Sequence, residues 1–450
     1  MSPGHPRAVP LLALLAVVVG GVDGLVFLGF EWVVKHGTDW LWNDVANSDA
    51  VRWRVVPLAL ASSVALSALM KGLGQPRWTA PHMDPLGPDE GAAGEPPPPA
   101  LSALATLLLI GAAGLVAGAS LGPEAPLVAL ATGLGAWAAS RVGLDAGGRV
   151  LVLASAGALL VAFFGSLIPI AIPVLIVYQR TRRLEAAAAV AIALAGLAAW
   201  GTVWLIHGDH QGYGSIPSAA IHARDYVAAV VLGVVAVAIG ALLRWFIVRL
   251  AVVTKRVDDR APWWLAGAAF GLVLGALYLV GGPTVQFSGS EGSVMLLSGD
   301  VHYGTWALAG LAFVKLAATS WSLTAGYRGG LVFPSVFAGV AVSVLVAGAL
   351  PDLAGPGVLL GSVAGLLVEM TAPMLGVVML LALLPAKLLP LGIAGAAGAI
   401  AGRVAVTRLT PRAPSAERAS EDGGGDGDRE DQSDLDAVTP DHTGRIIRNG

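Results

Sequence analysis

The chain has 450 residues, of which 56% are hydrophobic and only 13% charged. A soluble domain averages about 25% charged residues and needs polar groups to cover its surface, so much of this surface must face lipid. The net charge of −3 makes no case for nucleic-acid binding, and the absence of cysteine excludes disulfides, thiolate metal sites and a cysteine nucleophile.

The first apolar run, residues 8–34, follows a short leader containing Arg7. A signal peptide would carry a shorter apolar core and a small-residue cleavage site. Here DGLVFLGFEWVVK (23–35) continues the helix, so the segment reads as an uncleaved span. Further spans or half-spans are predicted near 53–72, 101–118, 124–140, 149–165, 167–179, 185–206, 224–253, 262–281, 305–323, 331–350, 357–370, 373–386 and 388–402. A full span needs about 20 apolar residues, and several of these are shorter or broken by Gly or Pro. Helices that end inside the bilayer are tolerated only where buried in protein or lining a watery cavity. The segmentation therefore fits a pathway, and equally a bundle of kinked spans without one.

Arg180, Arg182 and Arg183 follow one apolar segment, and Arg249, Lys255, Arg256 and Arg260 follow another. Both clusters should be cytoplasmic by the positive-inside rule. The loop 207–225 between them has one Lys/Arg and should lie outside; its His207, His210 and His222 lack regular ligand spacing and read as solvated. Residues 77–100 are Pro-rich and acidic and must be an exposed loop. Residues 411–450 are polar and Gly/Asp-rich and read as a disordered tail. The expected organisation is a transmembrane domain over 1–410, with halves at about 8–206 and 224–405.

An internal repeat supports the two halves. GPEAP (122–126) and GGLVFP (329–334) each place a Gly four residues before a Pro at the start of an apolar helix. Downstream, GSLIP (165–169) and TAPML (371–375) supply a second breakpoint in each half. Interruptions at corresponding places in two halves point to a binding site at the repeat interface.

The chemistry belongs to those breaks. Pro123 suits a first helical turn, where its missing N–H costs nothing. The free amides and macrodipole of a buried helix start act as roughly +0.5 charge and attract an anion without a lysine or arginine. Partial charges also allow release, which a full opposite charge would hinder. Gly329 and Gly330 allow close backbone approach, with the N–H groups of Leu331 and Val332 facing the site. Glu124 is an acid in the first turn of a membrane half-helix, drawn to the same positive ends. It reads either as a gate that occupies the anion's place and leaves on protonation, or as a helix-start acid satisfying a dipole or a distant base.

These residues resemble the CLC family of chloride channels and proton-coupled chloride transporters. ASLGPEAPLVAL (119–130) resembles the family motif G-[K/R]-E-G-P, and AGYRGGLVFPSVFAG (325–339) resembles G-G-x-F-x-P. KGLGQP (71–76) is similar to G-S-G-x-P, and TAPMLGVVMLLAL (371–383) resembles the helix after the second motif. The resemblance runs from about 8 to 405 in order. It implies an all-α integral membrane protein, a CLC-like inverted repeat of tilted and half-spanning helices, and a homodimer with one pore per subunit. It also implies Glu124 as the gating glutamate. Gly122, Pro123, Ala125, Pro126, Gly329, Gly330, Leu331, Val332 and Pro334 then surround the anion, with the Leu331 and Val332 amides as ligands. The sequence departs from the family at several places. Pro123 replaces the motif's Lys/Arg, Ala125 its Gly, and Leu73 the anion-contacting serine; 391–410 has no tyrosine, and Val177 stands near the inner proton-relay glutamate. Backbone ligands alone remain.

The expected function is movement of small anions such as chloride, passive or proton-coupled, with no cofactor or metal, in a multi-pass plasma-membrane protein whose N-terminus and C-terminal tail are cytoplasmic. Alternatives are a proton-coupled transporter of another solute and a non-transporting scaffold or sensor. No H-E-x-x-H, G-x-S-x-G or triad pattern supports an enzyme. Lys71, Lys315 and Lys387 read as snorkelling bases before an anion funnel, and Arg328 as an anion attractor or a salt-bridge partner. Asp23, Glu31 and Glu369 should pair with bases, and Trp32, Trp40, Trp42, Trp53, Trp263 and Trp264 should anchor span ends.

Overall fold

The computed structural model describes residues 8–43, 52–77, 100–143, 145–183, 185–208, 220–298 and 303–409. The expected loop at 78–99, His210 and the tail at 411–450 lie outside them. The chain divides into two units, 1–406 and 407–450; of the second, only 407–409 are described. Fifteen α-helices make up the described residues: α1 (Ala8–Thr38), α2 (Val55–Gly72), α3 (Leu101–Val116), α4 (Glu124–Val142), α5 (Asp145–Phe164), α6 (Ala171–Thr181), α7 (Ala186–His207), α8 (Ala223–Arg260), α9 (Trp263–Gly281), α10 (Ser290–Ser298), α11 (Thr305–Thr324), α12 (Val332–Ala349), α13 (Pro356–Met370), α14 (Pro373–Ala382) and α15 (Leu389–Leu409). Eight apolar stretches built on these helices are long enough to cross a bilayer, among the described residues. Of the shorter ones, α3 and α5 end just before Gly118 and Gly165, and α13 and α14 just before Pro373 and Pro385; α6 ends at a left-handed Arg182.

The helices follow in a repeated order. With α10 set aside, α1 to α7 correspond in turn to α8, α9 and α11 to α15. Glycine stripes build their contacts. On α13, Gly357, Gly361 and Gly365 lie four residues apart, and a Cβ on them would meet the α8 backbone at Asp225, Ala229 and Gly233. On α9, Gly267, Gly271 and Gly275 meet the α2 backbone at Ser63, Ala59 and Val56 in the same way. Inside a membrane there is no hydrophobic drive between apolar helices, so close backbone approach through small residues supplies the attraction. The order of the pairs fixes direction. Gly20 meets Ala195 and Gly24 meets Ala199, so α1 and α7 run parallel; Gly398 meets Val230 and Gly402 meets Val234, so α8 and α15 do too. By contrast α2 and α9, which correspond to one another, cross antiparallel, as an inverted pair must.

Irregular backbone between half-helices is satisfied by side chains, as burial without water demands. The indole N–H of Trp42 donates to Val116 O at 2.8 Å and the Tyr278 hydroxyl donates to Gly118 O at 2.7 Å. Trp42 is fully buried and edge-on to Tyr278 and Phe287, so it closes the end of α3 and is not an interface anchor. Trp32, Trp40, Trp53 and Trp264 are exposed. Buried charges are also paired. At the C-terminal end of α13, Glu369 faces Arg244 of α8 at 3.2 Å and Arg403 of α15 at 3.9 Å, and both arginines donate to carbonyls of that last turn. Asp23 does not find a base: it accepts the Ser155 hydroxyl at 2.8 Å. His222 caps α8 reciprocally with Asp225.

A larger side chain in a stripe must push two backbones apart. Gly361→Leu should cost about 2 kcal/mol or more, read as a lower melting temperature in detergent. Gly29→Ala, which meets nothing within 4 Å, should leave melting unchanged or raised.

Candidate anion site at the meeting of two helix starts

The two motifs come together. Gly122 and Gly330 form an isolated antiparallel bridge, the Gly122 N–H donating to Gly330 O at 2.9 Å and the Gly330 N–H to Gly122 O at 2.7 Å. Each bridge is reached by the same path: α3 ends at a left-handed Gly118 (φ 96°) and α11 at a left-handed Gly326 (φ 89°), and four residues later the bridging glycine follows. Aligned on these, AGASLGPEAP (117–126) and AGYRGGLVFP (325–334) share A-G-x-x-x-G-x-x-x-P. This longer register, anchored by positive-φ glycines, extends the shorter Gly-to-Pro spacing read from the sequence. In it Glu124 and Val332 are equivalent, and each is the first residue of its helix, α4 and α12.

Glu124 is buried, at 2% exposure. Its Oε1 accepts the Val332 N–H at 2.6 Å, while Oε2 has no hydrogen-bond partner among the described residues. A Cβ on either Gly122 or Gly330 would collide with this carboxylate, so the two bridging glycines form its walls. The carboxylate of one half thus sits on the first helical amide of the other. That amide is one of the donors a helix start leaves unpaired, and two positive helix ends converge there. Pro123 stands just outside α4 as its N-cap, not within the first turn. Leu331 caps α12, and Ala125, Pro126 and Pro334 lie in the opening turns. Leu73 stands apart: it caps the end of α2, is 37% exposed, and has no hydrogen bond to the Glu124 carboxylate.

Lys315, read from the sequence as a snorkelling base, was misread. It is wholly buried on α11 and does not snorkel. Its ammonium donates to Ser120 Oγ at 3.0 Å, to Val285 O at 3.2 Å and to Phe287 O. Ser120 also faces Thr319 Oγ1 at 3.2 Å, and its N–H donates to Ser322 Oγ at 3.0 Å. This network pins the segment leading to Gly122 against α11. Its signal in the sequence was a lysine in mid-span with Thr and Ser one helical turn away. Lys71 lies over the Trp263 ring at 5.3 Å, and Arg328 donates to Pro76 O at 3.0 Å.

A cavity of about 330 Å³ reaches Leu121 and Pro123 from the side of the α1 C-terminal turns, between Glu31, Lys35, Asp39 and Glu291. A second, smaller and apolar, of about 70 Å³, touches Phe333 between α10, α12, α13 and α14.

The sequence matches the Voltage gated chloride channel family over residues 90–403. Relatives named "Putative ion-transport protein YfeO" from Escherichia coli O1:K1 and from strain S88 of O45:K1 are 28% identical over 363 residues, 76% of this chain and 81% of theirs. A slow cyanobacterial Cl⁻/H⁺ antiporter has the same fold, with a TM-score of 0.70 at 18% identity, covering 90% of this chain and 98% of that one. A CLC-type fluoride/proton antiporter superposes with a TM-score of 0.67 at 17% identity, covering 88% and 95%.

Lys315→Met would leave three buried acceptors without their donor, at about 1–3 kcal/mol each. It should sharply lower the yield of monodisperse protein, whereas Lys71→Met should not; size-exclusion chromatography of the two variants checks this.

Proposed function

The chain belongs to the Voltage gated chloride channel family, and on that premise we propose that it moves small anions, chloride or a similar ion, across the membrane between the α4 and α12 starts, with Glu124 as the gate. The observation that carries the reading is the Glu124 carboxylate on the Val332 amide. A carboxylate oxygen and a small anion ask for the same donor, so the side chain and the permeant ion compete for one place. The converging helix ends provide partial positive charge, strong enough to draw an anion from water and weak enough to let it go. Gly122, Gly329 and Gly330 keep the path open to backbone, and the Leu331 amide is the second ligand.

Two halves, about 8–206 and 224–405, insert with opposite orientation. The basic ends at Arg180, Arg182 and Arg183 and at Arg249 to Arg260 lie in the cytoplasm. Because α7 starts just after the first cluster and α1 runs parallel to it, the end of α1 faces outside. The cavity reaching Pro123 is therefore the outer vestibule. The protein resides in the plasma membrane with its N-terminus and tail inside, as a homodimer, and carries out no enzymatic chemistry.

Protonation removes the charge that holds Glu124 to Val332. Flux of chloride from liposomes containing purified protein should therefore rise as pH falls. Glu124→Gln, neutral at every pH, should flatten that dependence while anions still pass. No flux of chloride, nitrate or fluoride from well-folded protein would sink the reading. Simultaneous proton recording separates a coupled exchanger, with a fixed proton count per anion, from an uncoupled path.

A further inference from the structure

The cavity that reaches Pro123 has a floor and a rim of different chemistry. Phe27, Glu31, Lys35 and Asp39 all line it and follow one another at four-residue steps, so they form one stripe along α1 and the π-helical turn that continues it. The stripe changes character along its length. Phe27 and Phe30 are buried, Phe163 meets Phe27 edge-on with ring centres 5.8 Å apart, and Phe287 adds a fourth ring from the segment before α10. Glu31, Lys35 and Asp39 stand further along α1, and Glu291, exposed in the first turn of α10, borders the same space. The lining thus holds three acids and one base.

For a path that admits anions, this rim has the wrong sign. A surplus of negative charge at a narrow mouth thins out chloride there and gathers cations. The acids are not arranged for a metal ion: no group of three or more acidic or histidine side chains among the described residues is placed to hold one. Charge spread along a rim above an aromatic floor instead suits a larger, singly charged cation with an apolar body. The volume of about 330 Å³ falls within that of small-molecule sites, roughly 300–1,000 Å³, which are mostly apolar with a few placed polar groups. Aromatic rings add attraction for a cation held over their faces.

We propose that this cavity binds an organic ammonium ion, its hydrocarbon body among Phe27, Phe30, Phe163 and Phe287 and its charge toward Glu31 and Glu291. A ligand so seated lies against Leu121 and Pro123, the residues that flank Gly122 and lead into Glu124. It therefore closes the outer approach to the gate. Binding stands on the cavity alone; only the closure rests on the anion reading of the Glu124 site. The cavity at Phe333 has no charged side chain in its lining, so a cation finds no equal seat there.

Calorimetric titration of purified protein with benzyltriethylammonium, paired with chloride flux in liposomes, tests this. Wild type should bind the ion and slow its chloride flux over the same concentrations. Tetraethylammonium, which keeps the charge without the ring, should bind about tenfold more weakly. Glu31→Gln combined with Glu291→Gln should weaken binding about tenfold, and Lys35→Gln should tighten it about threefold. All three positions are at least partly exposed, so the variants should fold, and a merely structural role would not shift affinity in opposite directions for opposite charges. Absence of binding by wild type, equal or tighter binding of benzenesulfonate, or affinities untouched by these charge changes would overturn the proposal. Binding with chloride flux unslowed would overturn the closure. Wild type that binds the ammonium ion but passes no halide would keep this site and instead overturn the reading of the Glu124 site.

Discussion

Two hydrogen bonds between Gly122 and Gly330 hold the candidate site together. They join breaks that lie 208 residues apart in the chain and fix the starts of α4 and α12 head to head. Everything at the site depends on that register. Were the bridge to slip by one residue, Glu124 would no longer meet its counterpart amide at Val332. Only glycine suits the bridge, because the space a Cβ would fill holds the Glu124 carboxylate. A broken helix in lipid would ordinarily cost several unsatisfied backbone groups; here each break finds its partners in the other half.

The surrounding structure keeps those breaks in place with buried polar groups that reach partners across the helices. Lys315 ties the loop before α10 to the segment before Gly122. Trp42 and Tyr278 take the last carbonyls of α3. Arg244 and Arg403 converge on the end of α13 and on Glu369. Small residues do the complementary work, bringing the backbones of α13 and α8, and of α9 and α2, into close contact.

Much of this was legible in the sequence, and the reason is physical. Lipid forbids polar interruptions, so Gly and Pro breaks in apolar runs mark helix ends with unusual clarity; the predicted segments at 124–140, 331–350, 357–370 and 373–386 fall on α4, α12, α13 and α14. Glu124 was visible because an acid in such a run is costly. The short α10 was not, because its nine residues, SEGSVMLLS, carry too weak an apolar pattern. Lys315 and Trp42 were misread because a lysine in an apolar span and a tryptophan after one look alike whether they face the interface or the interior. Their partners, Ser120 and Val116, are about 195 and 74 residues away, beyond any local pattern.

The equivalence of Glu124 and Val332 has a last consequence. A perfectly duplicated chain would look the same from either side of the bilayer. On the proposed reading, an acid in one half where the other has an aliphatic residue breaks that symmetry and gives the conduit a front and a back. If the acid gates as proposed, the arginines expected to hold one end inside during insertion would also decide which compartment it answers to: the same polypeptide threaded upside down would be a different machine.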